Sequence, residues 1–535
     1  MSSTSTTSSG ASSMALAAAT IAAAAAFWII RGRKPKTNIL TTEKLIPPRN
    51  SSWFSFDRIR TSSQDAWDSA QHPEGPNIGF ESNTSWMYHN SLKSAAKTDL
   101  LHRGHNKGGK LVVVMVGLPG RGKTFIARKV ARYLRWISYR TRAFSIAKYR
   151  LDKLGSKSAD FFDMSNPNNY SQRVNVMVEA LEDALRYLSR GGEIAILDGT
   201  NVTRDRRDMI RQRVAKEDGY DILWIESVCA NLNTISEVQV EELKNSPDFI
   251  DKVDYERRLA HYQKDYTTLA ADEGSFVRVY DHGSTLTLNA IHGFLPTKIV
   301  AFVMNLKPSP RPIYICRHGE SVFNVRGLIG GDSSLSGRGV KFSRALADYI
   351  AAGGLETLNL EDVCVWTSTM RRARETAAEL KSCKRQVEWR ALREIEVGVC
   401  DGLSYEQIKS RFPEEYRSRN HDKLRYRYPR GESYLDVITR LEPVIYELER
   451  QEKPLLIVAH QAVLRCLYAY FLDLPADEIP FLSIPLHTVI RLEAKAYGCK
   501  EKRVRIVVAD REGGAGGGGG GGVGGVGGEG VGGSV

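Results

Sequence analysis

The sequence predicts an α/β protein of two domains, each built around a mainly parallel sheet. Short apolar runs rich in Val and Ile have the length and composition of buried strands, and glycine-rich or charged motifs follow them at their C-terminal ends. The chain has 535 residues, more than one ordinary domain needs and enough for two domains with tails. Asn305–Pro312, which reads NLKPSPRP, marks the boundary between the two domains.

The composition is typical of soluble globular domains and favours small anionic partners. Hydrophobic residues make up 42% of the chain, charged residues make up 26%, and the formal net charge is +13. The basic residues form short clusters beside the motifs described below and not one long stripe. This distribution favours phosphorylated small molecules as partners and argues against nucleic acid.

Cysteine usage indicates a reducing compartment. The chain has seven cysteines, an odd number, with no CxxC pair and no spacing suited to zinc. We therefore predict a cytoplasmic protein without structural disulfides and without a cysteine metal site.

The N-terminal segment leaves three interpretations open. Residues 1–13 are mostly Ser and Thr, residues 14–30 read MALAAATIAAAAAFWII, and the basic run RGRKPK follows at once. Residues 14–30 are at the lower length limit for spanning a bilayer. They form a membrane anchor with the basic run on the cytosolic side, a removable organelle-targeting peptide, or a disordered extension without membrane contact. In every case, residues 1–30 lie outside the catalytic fold.

Two other segments carry no motif. Residues 31–107 have no clear hydrophobic period, which predicts a poorly structured lead-in. Residues 512–535 consist mostly of glycine and cannot bury a core, so we predict a disordered tail.

The first functional motif is a phosphate-binding loop. The predicted strand KLVVVMV leads into GLPGRGKT, which matches G-x-x-x-x-G-K-[ST] throughout. In this motif the backbone N–H groups bind phosphates, Lys123 reaches the β- and γ-phosphates, and the Thr124 hydroxyl binds Mg²⁺. Ile126, Val130 and Leu134 then recur at the spacing of one helix face. The predicted ATP-binding residues are Gly117, Leu118, Pro119, Gly120, Arg121, Gly122, Lys123, Thr124 and Phe125.

A second strand, EIAILD, ends at Asp198. A carboxylate at that position beside a phosphate-binding loop either binds Mg²⁺ or orients an attacking hydroxyl, and the alternative is a helix cap. Arg204, Arg206 and Arg207 follow and suit an anionic acceptor, because guanidinium groups bind phosphate bidentately. The first domain is thus predicted to be a P-loop kinase whose acceptor these residues do not name.

The second functional motif suits removal of a phosphate. The strand RPIYIC ends in Arg317-His318-Gly319-Glu320, where a histidine flanked by arginine can attack phosphorus and form a phosphohistidine. Arg372 after the strand VCVWTS and His460 after the strand PLLIVA can neutralise the phosphoryl oxygens. Glu394 of ALREIEVG can protonate the leaving oxygen.

The order of these motifs resembles the bifunctional 6-phosphofructo-2-kinase/fructose-2,6-bisphosphatase family. The resemblance extends from Lys110 to Val508 and includes KEDGYDILWIESVC, RHGES…GGDSSLSGRG and RYRYPRGESYLDVITRLEPVIYELERQE. It implies a P-loop kinase domain at 108–308 and a phosphoglycerate-mutase-like histidine phosphatase domain at 309–511. The implied reactions are synthesis of fructose 2,6-bisphosphate from fructose 6-phosphate and MgATP, and its hydrolysis. The family is commonly dimeric, which implies a homodimer.

The resemblance also implies individual roles. In the kinase domain, Asp198 matches the catalytic aspartate, Cys229 the active-site cysteine, and Thr124 and Asp198 the Mg²⁺ ligands. Residues that match fructose 6-phosphate contacts are Arg150, Arg173, Thr200, Arg206, Lys244, Arg258 and Tyr262. In the phosphatase domain, the implied catalytic residues are His318, Arg317, Arg372, Glu394 and His460. Residues that match bisphosphate contacts are Arg317, Asn324, Gly330, Tyr405, Arg419, Lys423, Tyr434, Gln461 and Arg465.

Three positions depart from the family pattern. Gapless alignment puts Leu243 where relatives have a lysine, with Lys244 one step later, and Thr369 replaces a histidine. Gly120 replaces an alanine in the phosphate-binding loop, which only relaxes the backbone. One alternative is therefore a fructose-2,6-bisphosphatase with a weak or decayed kinase domain. The alternatives of other classes are a polynucleotide kinase fused to a phosphatase and a membrane-tethered, non-catalytic scaffold.

Overall fold

The computed structural model describes residues 109–229, 248–281, 283–307, 311–355, 360–495 and 498–508, and the backbone of one earlier strand, β1 (Leu40–Ile46). The predicted segments 1–30 and 512–535, and Lys244, lie outside the described residues. Among the described helices, none is long and apolar enough to cross a membrane. All seven cysteines lie within the described part of the chain, where each is buried and none forms a disulfide.

The first domain contains a six-stranded sheet with the order β3-β4-β2-β5-β6-β7. Every neighbouring pair is parallel except β6–β7. The strands are β2 Lys110–Val116, β3 Thr141–Ser145, β4 Ile194–Asp198, β5 Tyr220–Val228, β6 Phe276–Tyr280 and β7 Thr285–Asn289. The helices are α1 Lys123–Trp136, α2 Ile146–Leu154, α3 Pro167–Ser189, α4 Arg204–Val214, α5 Lys252–Lys264 and α6 Phe294–Met304.

The second domain contains a seven-stranded mixed sheet with the order β1-β13-β12-β8-β11-β9-β10. Three neighbouring pairs are parallel and three are antiparallel. The further strands are β8 Pro312–Arg317, β9 Cys364–Ser368, β10 Arg385–Trp389, β11 Leu455–Ala459, β12 Thr488–Lys495 and β13 Gly498–Arg505. The helices are α7 Val322–Val325, α8 Gly337–Ala351, α9 Arg371–Ala377, α10 Tyr405–Arg411, α11 Pro413–His421, α12 Tyr434–Arg450 and α13 Gln461–Leu472.

The central strands confirm the predicted two-domain α/β class. Residues 111–116 of β2 are at most 2% exposed, as expected for a parallel strand covered on both faces. The predicted face of α1 is equally buried, with Ile126 2% exposed and Val130 and Leu134 0% exposed. Burial of this continuous apolar stripe against the sheet fixes the orientation of the helix that follows the phosphate-binding loop.

One element was not expected from the sequence. The predicted lead-in, residues 31–107, contains β1, which pairs antiparallel with β13 from Leu40 opposite Arg505 to Ile46 opposite Cys499. The strand LTTEKLI lacks a strict alternation of apolar and polar residues, so its local pattern is weak. Its backbone hydrogen bonds are made to an edge strand more than 400 residues away in the chain, so tertiary pairing and not local pattern accounts for it.

Helix α1 joins the two domains. Its Trp136 indole N–H donates to the carbonyl of Cys466 in α13 at 2.8 Å. Tyr133 stacks on Phe302 of α6 with ring centroids 4.3 Å apart, and its hydroxyl donates to Glu442 of α12 at 2.6 Å. The helix that begins at the phosphate-binding loop therefore ends against the helix that begins after His460.

Glu449 on α12 is the buried ionic centre of this contact. It is 1% exposed, and its carboxylate accepts hydrogen bonds from Lys129 at 2.7 Å and Arg132 at 2.9 Å, both on α1, and from the hydroxyl of Tyr470 at 2.6 Å. Burial would raise the pKa of Glu449, but Lys129 and Arg132 outweigh burial and lower that pKa from 4.5 to about 2. The charged form is therefore favoured in the folded chain.

We expect Glu449→Ala to destabilise the protein by about 3–5 kcal/mol, because it leaves two buried cations without their carboxylate. Urea unfolding of the full chain measures this loss, and Glu447→Ala is the control. Glu447 pairs with the exposed Arg450 three residues later, so its removal is expected to cost at most about 1 kcal/mol. Equal midpoints for the two variants would contradict the prediction. Folding lowers the pKa of Glu449, so its charged form adds to the free energy of unfolding above pH 4.5. This stabilisation is lost as the pH falls towards about 2.

Candidate active sites

The first candidate site is the loop between β2 and α1. Gly120 and Gly122 have φ values of 66° and 76°, in the left-handed region that glycine adopts without strain. A Cβ atom on Gly117 would lie 2.5 Å from the carbonyl oxygen of Ser227 on β5. The loop is thus packed closely against the sheet, and its N–H groups lie at the N-terminus of α1, where an anion is stabilised.

Lys123, Thr124 and Asp198 meet at the start of α1. Strand β4 pairs with β2 in parallel, so its last residue, Asp198, lies beside the loop that follows β2. The Thr124 hydroxyl donates to Asp198 Oδ2 at 3.0 Å. Burial raises the pKa of Asp198, and Lys123 and Thr124 partly oppose that rise. A buried carboxylate of raised pKa can accept a proton from a hydroxyl that approaches the loop.

The oxygen atoms of Thr124 and Asp198 fit Mg²⁺, which prefers hard oxygen ligands and completes its shell with nucleotide phosphates and water. Among the described residues, no group of three or more His, Cys, Asp or Glu side chains could hold a metal.

The turn after β4 is hydrogen-bonded to the end of β2 and to the start of the phosphate-binding loop. The N–H of Gly117 donates to the carbonyl of Thr200 at 2.8 Å, and the Asn201 amide donates to the carbonyl of Met115 at 2.9 Å. Asn201 is fully buried with a φ of 43°. No role was predicted for Asn201 from the sequence, although asparagine tolerates this left-handed conformation better than most residues. Cys229 lies directly after β5 and is 7% exposed.

A cluster of arginines lies beside this loop. The guanidinium carbons of Arg258, Arg150 and Arg173 lie 4.0, 4.8 and 5.8 Å from the ring centroid of Phe162. Tyr262 packs against the same ring, with centroids 5.8 Å apart. Leu118 of the phosphate-binding loop packs against this aromatic cluster, so the loop and the arginines share one site.

The arginines of this cluster differ in whether they form ion pairs with carboxylates of the protein. Arg258 forms ion pairs of 3.0 Å with Asp248 and with Asp254, and Arg150 also pairs with Asp248. Among the described residues, Nε and Nη2 of Arg173 and Nε of Arg206 are buried without a hydrogen-bond partner.

Arg150 and Arg258 also have a buried Nε without a partner, but their charge is paired with aspartates. Within the described part of the chain, Arg173 and Arg206 form no ion pair, so their charge is the one left to neutralise. Burial lowers the pKa of Arg206, and the nearby Arg173 and Arg150 lower it further. An incoming phosphate would relieve both effects, because it neutralises the clustered charge and accepts the buried N–H groups. Lys244, the remaining predicted sugar-phosphate contact, lies outside the described residues.

The second candidate site is centred on His318, at the C-terminal end of β8. Its Nδ1 lies 2.7 Å from the carbonyl oxygen of Gly319, which can only accept, so Nδ1 carries the proton. The other nitrogen, Nε2, accepts a hydrogen bond from Nε of Arg372 at 3.1 Å. Burial, Arg372 and Arg317 hold the pKa of His318 well below 6.5. Nε2 is therefore unprotonated at neutral pH and carries the electron pair that a nucleophile needs.

The parallel strands β8, β11 and β9 bring the predicted partners together. His460 follows β11, is 0% exposed, and lies with its ring centroid 5.0 Å from that of His318. Arg372 also donates to the carbonyl of Gly331 at 2.8 Å. Among the described residues, Nε of Arg317 is buried without a partner. Two arginines and a second histidine thus surround the nucleophilic nitrogen.

Glu394 is positioned by a different kind of element from the two histidines. A short 3₁₀ turn, Arg390–Leu392, separates it from β10, so Glu394 does not lie directly at a strand end. Its Oε1 accepts hydrogen bonds from the N–H groups of Ile395 at 3.0 Å and Ala462 at 3.1 Å. Ala462 belongs to the first turn of α13, so Glu394 is held beside His460.

A second basic cluster lies next to this centre. Arg419 donates to the hydroxyl of Tyr405 at 2.9 Å, and Arg465 donates to the hydroxyl of Tyr434 at 3.0 Å. Burial, Arg419 and Arg465 lower the pKa of Lys423 to about 8. A phosphate that binds here would raise this pKa again, because its negative charge offsets the repulsion among the three cations, as suits a substrate with a second phosphate.

The remaining predicted contacts shape the site or lie at its edge. Asn324 accepts a hydrogen bond from the N–H of Ser321 at 3.0 Å. Gly330 has a φ of 75°, and a Cβ atom there would collide with Asp401. Gln461 is the first residue of α13. Tyr428, for which no role was predicted from the sequence, accepts a hydrogen bond from Nε of Arg419 at 2.6 Å.

Comparisons with known proteins match both halves of the chain. The 6-phosphofructo-2-kinase family model matches residues 99–310. The model of the histidine phosphatase superfamily, branch 1, matches residues 313–507.

Curated relatives match both halves together. The chain is 42% identical over 438 residues to rat 6-phosphofructo-2-kinase/fructose-2,6-bisphosphatase 1, which covers 79% of this chain and 90% of the relative. It is 44% identical to the human protein of the same name, over 74% of this chain and 84% of the relative. It is also 44% identical to the Arabidopsis thaliana 6-phosphofructo-2-kinase/fructose-2,6-bisphosphatase over 78% of this chain, but spans 56% of that relative's length.

Proposed function

The chain belongs to the 6-phosphofructo-2-kinase/fructose-2,6-bisphosphatase family, and we propose how its residues perform the two reactions. It is a bifunctional enzyme with an ATP-using kinase domain and a histidine phosphatase domain. The kinase makes fructose 2,6-bisphosphate from fructose 6-phosphate and ATP, and the phosphatase hydrolyses that product. The observation that carries the proposal is that one chain contains both sites. In the first, a phosphate-binding loop lies beside buried arginines, and in the second, a neutral histidine lies beside two arginines.

In the kinase reaction, the loop N–H groups and Lys123 bind the ATP phosphates. Arg173 and Arg206 bind the 6-phosphate of the sugar, which brings its 2-hydroxyl to Asp198. The hydroxyl oxygen bonds to the γ-phosphorus, the bond from that phosphorus to ADP breaks, and Asp198 takes the hydroxyl proton. Thr124 and Asp198 would hold Mg²⁺, which, when bound, neutralises charge on the β- and γ-phosphates.

In the first phosphatase step, Nε2 of His318 bonds to the phosphorus of the 2-phosphate. The bond from phosphorus to the sugar oxygen breaks, and Glu394 gives its proton to that oxygen, which releases fructose 6-phosphate. Arg317, Arg372 and His460 stabilise the charge on the phosphoryl oxygens during transfer. The basic cluster of Arg419, Lys423 and Arg465 binds the 6-phosphate.

The second phosphatase step releases the phosphate. Water attacks the phosphorus of the phosphohistidine, Glu394 accepts a proton from that water, and the bond from phosphorus to Nε2 breaks. The products are inorganic phosphate and the original His318. Glu394 thus acts as acid in one step and as base in the next.

The test supplies the full chain with γ-labelled MgATP and fructose 6-phosphate. Label is expected first in the sugar bisphosphate, then on the protein as an acid-labile phosphohistidine, and then in inorganic phosphate. A sample without fructose 6-phosphate controls for direct labelling of the protein by ATP. If label never enters the sugar, while 2-labelled fructose 2,6-bisphosphate is hydrolysed, the chain acts mainly as a phosphatase.

Two alternatives of other classes have less support. A polynucleotide kinase needs a long groove with basic and aromatic residues, whereas the arginines converge on the single ring of Phe162. A non-catalytic scaffold does not account for the retention of Lys123, Asp198, His318 and Glu394. The homodimer, the cytoplasmic location and the membrane contact through residues 14–30 stay predictions.

A further inference from the structure

Ser368 lies beside His460 in the phosphatase site and has no role in the two reaction steps above. It is the last residue of β9 and is 0% exposed. The parallel pairing of β11 with β9 puts Val458 opposite Thr367, so Ser368 and His460 follow at the same edge of the sheet. The Ser368 hydroxyl oxygen lies 2.6 Å from Nε2 of His460.

The position of the proton in this hydrogen bond follows from the neighbouring groups. The backbone N–H of Met370 donates to the same hydroxyl oxygen at 3.2 Å. Since an N–H group can only donate, that contact leaves the serine O–H proton available for another partner. Among the described residues, Nε2 of His460 is the other group within hydrogen-bond distance of this hydroxyl. A protonated Nε2 would leave the buried serine proton without an acceptor, whereas an unprotonated Nε2 accepts it, so the fully satisfied arrangement has the serine donating to Nε2.

The proton of neutral His460 must then be on Nδ1. Burial, His318 and Arg372 hold the pKa of His460 well below 6.5, which supports the neutral form. Among the described residues, Nδ1 is buried and has no hydrogen-bond partner. A buried donor without a partner is unfavourable, and a phosphoryl oxygen delivered to the adjacent His318 would satisfy it.

We propose that Ser368 is a positioning residue that fixes His460 in the Nδ1–H tautomer, so that this N–H donates to the phosphoryl group in transfer to and from His318. The proposal rests on the proposed phosphatase function and deepens it. Without the hydroxyl, His460 can place its proton on Nε2 and present a lone pair to a negatively charged oxygen. Loss of a correctly oriented donor weakens stabilisation of the transition state more than binding of the substrate.

The test compares Ser368→Ala, which removes the hydroxyl, with Ser368→Thr, which keeps it. Thr488→Ala is the matched control, because it removes another buried hydroxyl from the same sheet, one that contacts the carbonyl of Leu486. Rapid-quench measurements with 2-labelled fructose 2,6-bisphosphate give the rate of phosphohistidine formation. We expect Ser368→Ala to slow this step about 10²-fold with little change in KM, and Ser368→Thr to recover most of the rate.

A second measurement reports the tautomer directly and needs no substrate. Nitrogen NMR of the full chain with labelled histidine, assigned by loss of the signal in His460→Gln, should show protonated Nδ1 in the wild type. The Ser368→Ala chain should shift towards protonated Nε2. A wild-type His460 with protonated Nε2, or an unchanged rate in Ser368→Ala, would overturn the proposal. A wild-type chain with the expected tautomer that fails to hydrolyse fructose 2,6-bisphosphate would instead overturn the proposed function.

Discussion

His318→Ala is expected to abolish hydrolysis of fructose 2,6-bisphosphate, with a loss in kcat on the order of 10⁶-fold, the scale seen when a catalytic nucleophile is removed. The lone pair on Nε2 of His318 forms the covalent bond to phosphorus, and alanine offers no substitute. The acid-labile phosphoprotein formed from 2-labelled substrate should disappear with the activity. Both quantities can be measured on one quenched time course.

The kinase activity of the same variant is the internal control. His318 belongs to β8 and its following turn in the second domain, and the phosphate-binding loop belongs to the first. The His318→Ala chain should therefore accumulate fructose 2,6-bisphosphate from MgATP and fructose 6-phosphate. Hydrolysis that persists at more than a trace level would show that another group or a water molecule attacks phosphorus.

Asp198→Asn is expected to lower kinase kcat by about 10²- to 10⁴-fold, the range associated with loss of a positioned base. The amide keeps the size of the carboxylate and can still accept the hydrogen bond from Thr124, so the fold and ATP binding should persist. It cannot accept the proton of the 2-hydroxyl. Initial rates of fructose 2,6-bisphosphate formation, measured in the His318→Ala background, report the effect without interference from hydrolysis.

Asp205→Asn is the matched control for Asp198→Asn, since Asp205 lies exposed in the first turn of α4. Its kinase rate should equal that of the parent. The pH profile gives a second readout. Burial raises the pKa of Asp198 above 3.8, so kinase activity should fall as the pH drops through the raised value and the carboxylate becomes protonated. Full activity of Asp198→Asn would leave Asp198 with a structural role only.

Much of both sites could be predicted because their residues follow buried parallel strands. Such strands appear in sequence as continuous apolar runs, and their C-terminal ends lie at one edge of a sheet. The runs before Gly117, Asp198, His318 and His460 are β2, β4, β8 and β11 in the structure. The resemblance then supplied the sugar-phosphate residues, of which Arg150, Arg173 and Arg258 converge on Phe162.

Local sequence could not predict contacts that form between distant segments. Glu449 lies in a helix of ordinary amphipathic pattern, and its role depends on Lys129 and Arg132 more than 300 residues earlier. Strand β1 likewise exists through its pairing with β13. A weak local pattern is overridden when a neighbouring strand supplies the backbone partners.

The sequence by itself determined the two-domain α/β class, the phosphate-binding loop, the RHGE motif and the order of kinase and phosphatase, because each depends on residues close together in the chain. The tertiary structure alone decided which arginines of the cluster form ion pairs, how Glu394 reaches His460 through the start of α13, and that the Ser368 hydroxyl lies against Nε2 of His460. These features depend on burial and on hydrogen bonds between separate strands and helices, and neither is encoded in local spacing.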